Sequence, residues 1–92
     1  MITYRIYETL KALQENPDGL TMDEIFKACR SKQGSEIPND RRIMNSIIYY
    51  LRVRREVNSI DSHRGRVHKL SNLGLQAIQY YEEFNSEDID RK

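Results

Sequence analysis

Six residues between positions 41 and 52 have the chemistry to address a polyanion: Arg41, Arg42, Asn45, Ser46, Tyr49 and Arg52. Arginine offers a planar fork of donors that pairs in two-pronged fashion with guanine O6 and N7. Asparagine does the same with adenine N6 and N7. Serine and tyrosine hydroxyls suit phosphate oxygens, which fix register without reading sequence. Ile43, Met44, Ile47, Ile48, Tyr50 and Leu51 fill the complementary helical positions, so the polar set falls on one side of a helix. A solvated helix face uses the same residue types, and of Tyr49 and Tyr50 at least one belongs to a core. If such a helix enters a major groove by its N-terminal end, Arg41, Arg42 and Asn45 are expected at base edges, and Ser46, Tyr49 and Arg52 at phosphates. Further along, His63, Arg64, Gly65, Arg66 and Lys69 form a second basic cluster. Arg64, Arg66 and Lys69 could follow a duplex backbone or line a narrow minor groove, although a glycine is also what any tight hairpin needs.

Other chemistries find little support. One cysteine, Cys29, and two histidines, His63 and His68, do not make up the three or four ligands of a zinc site. Cys29 reads as a small core residue rather than a nucleophile. The four glycines, at 19, 34, 65 and 74, form no phosphate-cradling loop. Glu82, Glu83, Glu87, Asp88 and Asp90 are a solvating run rather than an acid–base pair. The expectation is a protein without catalytic residues, metal or cofactor. A lone cysteine fits a reducing compartment, and no apolar stretch is long enough for a signal peptide or a membrane span. The chain reads as cytoplasmic.

Charge is distributed unevenly. Residues 27–69 hold eleven Lys and Arg against four Asp and Glu, a balance of +7, whereas residues 1–26 and 70–92 each stand at −3. The net charge of +1 conceals this basic middle. Such an asymmetry is the electrostatic footprint of a nucleic-acid-binding face.

The elements that must position these residues are legible from period and punctuation. Ile6, Tyr7, Leu10 and Leu13 recur at helical spacing over Thr3–Glu15, and Asn16-Pro17-Asp18-Gly19 stops that helix. Thr21 three residues before Glu24 is a capping box, opening a helix from Met22 to about Ser31 that buries Met22, Ile25, Phe26 and Cys29. After a loop, Asn39 can cap a helix over 39–55, with Asp40 in its first turn. Val57–Ile60 and Arg66–Leu70 are β-prone runs around a tip at 61–65, a hairpin over 57–70. Ser71 can cap a last helix, Asn72 to about Phe84, with Leu73, Ala77, Tyr80, Tyr81 and Phe84 on one face and Ile78 beside it. The fold class is α+β and mostly helical: one domain over residues 1–84, followed by a polar, flexible tail at 85–92.

This order resembles the winged helix-turn-helix domain of small transcriptional regulators. Ile6–Leu13 looks like the opening helix of such domains and Leu20–Ile25 like the start of their second. Leu70-Ser71-Asn72-Leu73-Gly74 is similar to the Leu-Thr-x-x-Gly step that leaves the wing in PadR- and MarR-like regulators. The resemblance implies three helices, a two-stranded hairpin wing and a C-terminal helix. Three departures stand out: a long loop over Ser31–Asn39, Arg54-Arg55-Glu56 where a glycine is common, and no room for a sensor domain or ligand pocket.

The residues and the resemblance together give an expected function. It is sequence-specific binding of double-stranded DNA by a small transcriptional regulator, with helix 39–55 in the major groove. A homodimer is expected on two half-sites, and Tyr4, Tyr7, Tyr80, Tyr81 and Phe84 are its candidate interface unless they pack within one chain. No small-molecule ligand and no membrane enter this reading. The alternative is a winged-helix protein-interaction module, an adaptor or inhibitor that turns the same basic surface to an acidic partner.

Overall fold

A computed structural model describes the backbone of residues 3–90 and the side chains of residues 3–84. Its order is α1 (Tyr4–Gln14), β1 (Leu20–Thr21), α2 (Met22–Arg30), α3 (Arg41–Val53), β2 (Val57–Ser62), β3 (Gly65–Leu70) and α4 (Asn72–Asp90). The fold is α+β and mostly helical, with four helices and one three-stranded antiparallel sheet of order β1-β3-β2. Leu10, Leu13, Ile25, Met44, Ile48, Leu51, Val57 and Ile78 make one core shared by all four helices and β2.

Side chains satisfy the free N–H groups at the helix starts. Thr21 Oγ1 accepts from Glu24 N at 3.3 Å while Glu24 Oε1 accepts from Thr21 N at 2.8 Å, so the capping box forms as expected. Ser71 Oγ accepts from Gly74 N at 3.1 Å. At α3 the cap is Asp40 rather than Asn39: its carboxylate accepts from Arg42 N at 3.0 Å and the helix begins at Arg41. Between α2 and α3 the long loop is anchored by Ile37, buried in the core, whose carbonyl takes a hydrogen bond from Arg30 Nη1 at 2.8 Å.

The sheet differs from expectation in two ways. Residues Leu20 and Thr21 pair with His68 and Val67, adding a third strand to the hairpin. Two residues leave no readable periodicity, which is why the sequence hides this strand. The hairpin is also tighter: Ser62 pairs with Gly65, leaving only His63 and Arg64 in the turn. Gly65 sits at φ 102°, in the left-handed region, and Ser62 Oγ bridges the turn by donating to Gly65 O at 2.9 Å.

The largest departure is the rotation of α4. Among its described residues Gly74 and Ile78 are buried and Ala77 packs beside them, whereas Leu73, Tyr80 and Phe84 are exposed. Gly74 sets this rotation, because it presses so closely on Glu56 that a Cβ would lie 2.2 Å from the Glu56 carbonyl oxygen. Gly74 and Ile78, four residues apart, therefore face inward. The helix backbone continues past Phe84 to Asp90; of the expected tail, Arg91, Lys92 and the side chains of residues 85–90 lie outside the described residues.

α3 ends in a Schellman motif built without glycine. Glu56 N donates to Leu51 O at 2.9 Å and Arg55 N to Arg52 O at 3.0 Å, with Arg55 held at φ 61°. This explains the Arg54-Arg55-Glu56 departure: an arginine occupies the left-handed position that glycine usually takes. Ser71 ties that turn to α4, its hydroxyl donating to Arg55 O at 2.6 Å and its N–H to Glu56 O at 3.1 Å.

Two substitutions probe this junction, both read by urea denaturation. Gly74→Ala should destabilise by about 1–3 kcal/mol despite alanine's better helix propensity, since the methyl must displace backbone. Arg55→Gly should stabilise by up to about 1 kcal/mol, because it relieves a left-handed conformation that costs an L residue roughly that much.

Candidate nucleic-acid interface

Asn45, Tyr49 and Arg52 recur at helical spacing on α3, so they form a row along one edge of the helix. That row borders an open groove of about 670 Å³, whose other walls are Thr21, Met22 and Asp23 at the start of α2, and Arg64, Arg66 and His68 of the hairpin. Five of the nine residues singled out from the sequence meet here: Asn45, Tyr49, Arg52, Arg64 and Arg66. Tyr49 is 69% exposed, whereas Tyr50 is half-buried against the core beneath the Arg54 guanidinium at 5.5 Å. The pair divides as one surface and one core tyrosine.

The other four are placed differently. Arg41 borders the groove through Asp23, pairing with it at 3.1 Å and lying 5.8 Å from the Phe26 ring centre. Arg42 turns back on its own cap, with Nε and Nη2 on the two Asp40 oxygens at 3.2 and 3.1 Å. That bond holds the Asp40 carboxyl below the usual carboxylate range. Ser46 donates to Arg42 O at 3.1 Å and faces a second groove of about 410 Å³, between α1 and α3, lined also by Arg5, Glu36, Ile43, Ile47 and Tyr50. Lys69 alternates with His68 along β3 and so points from the opposite side of the sheet, where its stem lies by Gly19.

Most of the arginines here already hold a carboxylate. Arg64 folds back from the turn, its Nη1 3.2 Å from both Glu24 oxygens and its Nη2 3.3 Å from Gly19 O. The Glu24 carboxyl sits below its ordinary range, first because it accepts the Thr21 N–H and also because Arg64 is near. Arg66 Nε lies 3.4 Å from Asp61. Arg52 has no ion pair among the described residues and stands over the groove with its charge uncompensated. Counting cations along the chain missed this, because Asp23 and Glu24 belong to the acidic first segment and only the fold carries them to the basic face.

His68 is the groove residue that sequence reasoning did not assign. It is 3% exposed, and its Nδ1 lies 2.7 Å from Ser59 Oγ across the β2–β3 pair. Burial holds its pKa below the ordinary histidine value, with the Arg52 and Arg66 charges adding to the effect. Cys29, by contrast, is core as expected: it is buried, and desolvation pushes its thiol up to about 11. Among the described residues no cluster of three or more metal-ligating side chains occurs, and no helix is long and apolar enough to cross a membrane.

No protein-family model and no curated protein sequence matches this chain. A solved structure does share its fold. It is that of Bordetella bronchiseptica BpsR, described with a mechanism for regulation of its DNA binding by 6-hydroxynicotinic acid. The two superpose with a TM-score of 0.75 at 19% identity, over 98% of this chain and 59% of that chain.

Proposed function

We propose that this chain is a winged helix-turn-helix domain that binds double-stranded DNA and regulates transcription. The observation that carries the reading is the groove itself. One helix edge presents Asn45, Tyr49 and Arg52 beside a hairpin presenting Arg64 and Arg66, on a fold shared with a protein whose DNA binding is regulated. In this reading α2 and α3 are the helix-turn-helix, α3 enters the major groove, and β2–β3 is the wing. Asn45 reads a base edge, with Arg41 and Arg42 able to join it by exchanging Asp23 and Asp40 for the nucleic acid. Tyr49, Arg52, Arg64 and Arg66 hold phosphates. Ser46 and Lys69 drop to the margin of the interface. The protein is a binder rather than an enzyme and works in the cytoplasm.

A homodimer fits this reading, with α4 as its contact. Tyr7 stacks on Tyr81 at 4.4 Å and donates to Glu82 at 2.7 Å, so those rings are spent within the chain. Tyr80 and Phe84 are 58% and 62% exposed, 4.4 Å apart, and share their side of the helix with Leu73. The BpsR ligand and the apolar α1–α3 groove leave room for a small effector, so the expectation of no ligand is not part of this proposal.

Fluorescence anisotropy with mixed-sequence duplex across a salt series tests the reading. Three phosphate-facing arginines, Arg52, Arg64 and Arg66, should give a slope of log K against log salt of about −3. Arg52→Gln should make that slope shallower by about one unit at every sequence, whereas Asn45→Ala should cost about 1–3 kcal/mol at one base position only. No binding at low salt would sink the DNA reading and favour the protein-interaction alternative. Sedimentation at micromolar concentration should show a dimer that Tyr80→Glu with Phe84→Glu turns into monomer. A wild-type monomer would remove the dimer.

A further inference from the structure

His68 lies at the floor of the groove rather than at its rim. Its Nδ1 is engaged by Ser59, and among the described residues no partner reaches its Nε2. Among the described residues no buried side-chain nitrogen or oxygen lacks a partner, so Nε2 keeps solvent access, and His68 is one of the residues lining the groove. Two guanidiniums flank it: Arg52 from α3, without an ion pair, and Arg66, two residues away on the same face of β3. The remaining charges about the groove are compensated. Asp61 on β2 faces Arg66, Asp23 on α2 holds Arg41, and Glu24 holds Arg64. What remains is a groove with two guanidiniums and one open imidazole nitrogen, in which Asp23 on the wall is held by Arg41 and Asp61, outside the lining, reaches Arg66 alone.

Resting on the DNA reading, we infer that Arg52, Arg66 and His68 form a seat for one backbone phosphate, and that filling it loads a proton onto His68. In the free protein the imidazole is neutral near pH 7, because burial and two neighbouring cations disfavour its charged form. A phosphate at Nε2 reverses the balance through its charge: it offsets the two arginines and favours the imidazolium, while the Nε2–H hydrogen bond to it is open to the neutral tautomer and the cation alike. The serine hydroxyl at Nδ1 serves either state, since it can donate to a bare nitrogen or accept from a protonated one. Binding therefore takes up a proton and strengthens as pH falls. Free-protein stability runs the other way. A histidine whose folded pKa lies below its unfolded value contributes stability that is full above about pH 6.5 and is lost as pH falls through that value and below. Acid thus loosens the empty protein and tightens its hold on phosphate.

The test is an NMR pH titration of the imidazole carbons of the full chain in chloride buffer, alone, with inorganic phosphate and with a saturating 16-base-pair duplex. The His68 midpoint should lie below the ordinary histidine value alone and rise on adding duplex. Duplex affinity measured at pH 5.5 should exceed that at pH 8 by about three- to tenfold, and by less in His68→Gln. Arg52→Gln, an exposed change that leaves the core intact, should raise the free midpoint and shrink the anion-induced rise. Salt-dependent duplex binding with an unmoved His68 midpoint would overturn the seat and leave the DNA reading standing. A midpoint raised by inorganic phosphate without duplex binding would support the anion seat and overturn the DNA reading instead. An unmoved midpoint with both anions would overturn the seat outright.

Discussion

Everything near the groove depends on how tightly the end of α3 is bound to the start of α4. Four residues make that junction: Arg55 in a left-handed conformation, Glu56 turning into β2, Ser71 hydrogen-bonded to both, and Gly74 pressed on the Glu56 carbonyl. The contact fixes the direction in which the chain leaves α3, and with it the angle of the hairpin against Asn45, Tyr49 and Arg52. It also fixes the rotation of α4, so that Ile78 enters the core and Tyr80 and Phe84 do not. A small backbone adjustment here would separate the two walls of the groove. Close-packed interiors do not absorb such adjustments smoothly.

Local signals in the sequence account for most of the fold. The Thr21–Glu24 box, the Asn-Pro-Asp-Gly stop and the apolar stripes of α1, α2 and α3 each carry their own structural instruction, so their helices are legible residue by residue. Asp40 against Asn39 is a contest between two good caps, and propensity alone does not settle it. β1 and the face of α4 were not legible for a different reason. Two residues of strand exist only because β3 lies beside them. Likewise, the inward side of α4 is chosen by the absence of a side chain at Gly74, whereas a hydrophobic stripe weighs only the side chains that are present. Tyr80 and Phe84 look like core from the sequence because their apolarity is visible and the steric demand of the Glu56 carbonyl is not.

The candidate site was legible in type but not in arrangement. Asn45, Tyr49, Arg52, Arg64 and Arg66 converge because α3 and the hairpin lie side by side, which the order of elements implies. Arg42 and Ser46 leave the row because a helix turns 100° per residue, and Lys69 leaves it because a strand alternates. His68 was passed over for want of a pattern: a histidine in a β-prone run reads as a sheet residue until its neighbours across the groove are known.

The ion pairs on this face change what its charge can do. A bare cluster of arginines attracts any polyanion, and its nonspecific affinity grows with every cation. Here Arg41, Arg42, Arg64 and Arg66 each hold a carboxylate in the free protein. A phosphate that approaches them exchanges one anion for another, and the net gain is smaller than the formal charge suggests. Exposed pairs of this kind are weak and easily exchanged, so they do not block binding. They do lower the return from contacts that are only electrostatic, which raises the relative weight of contacts depending on position. Arg52 has no such competitor among the described residues, and it lines the groove together with Asn45 and His68. Within this groove, the cation without a competing carboxylate therefore sits where the helix edge and the hairpin meet. Under the proposed reading, a duplex drawn there would meet Asn45 on the same helix edge.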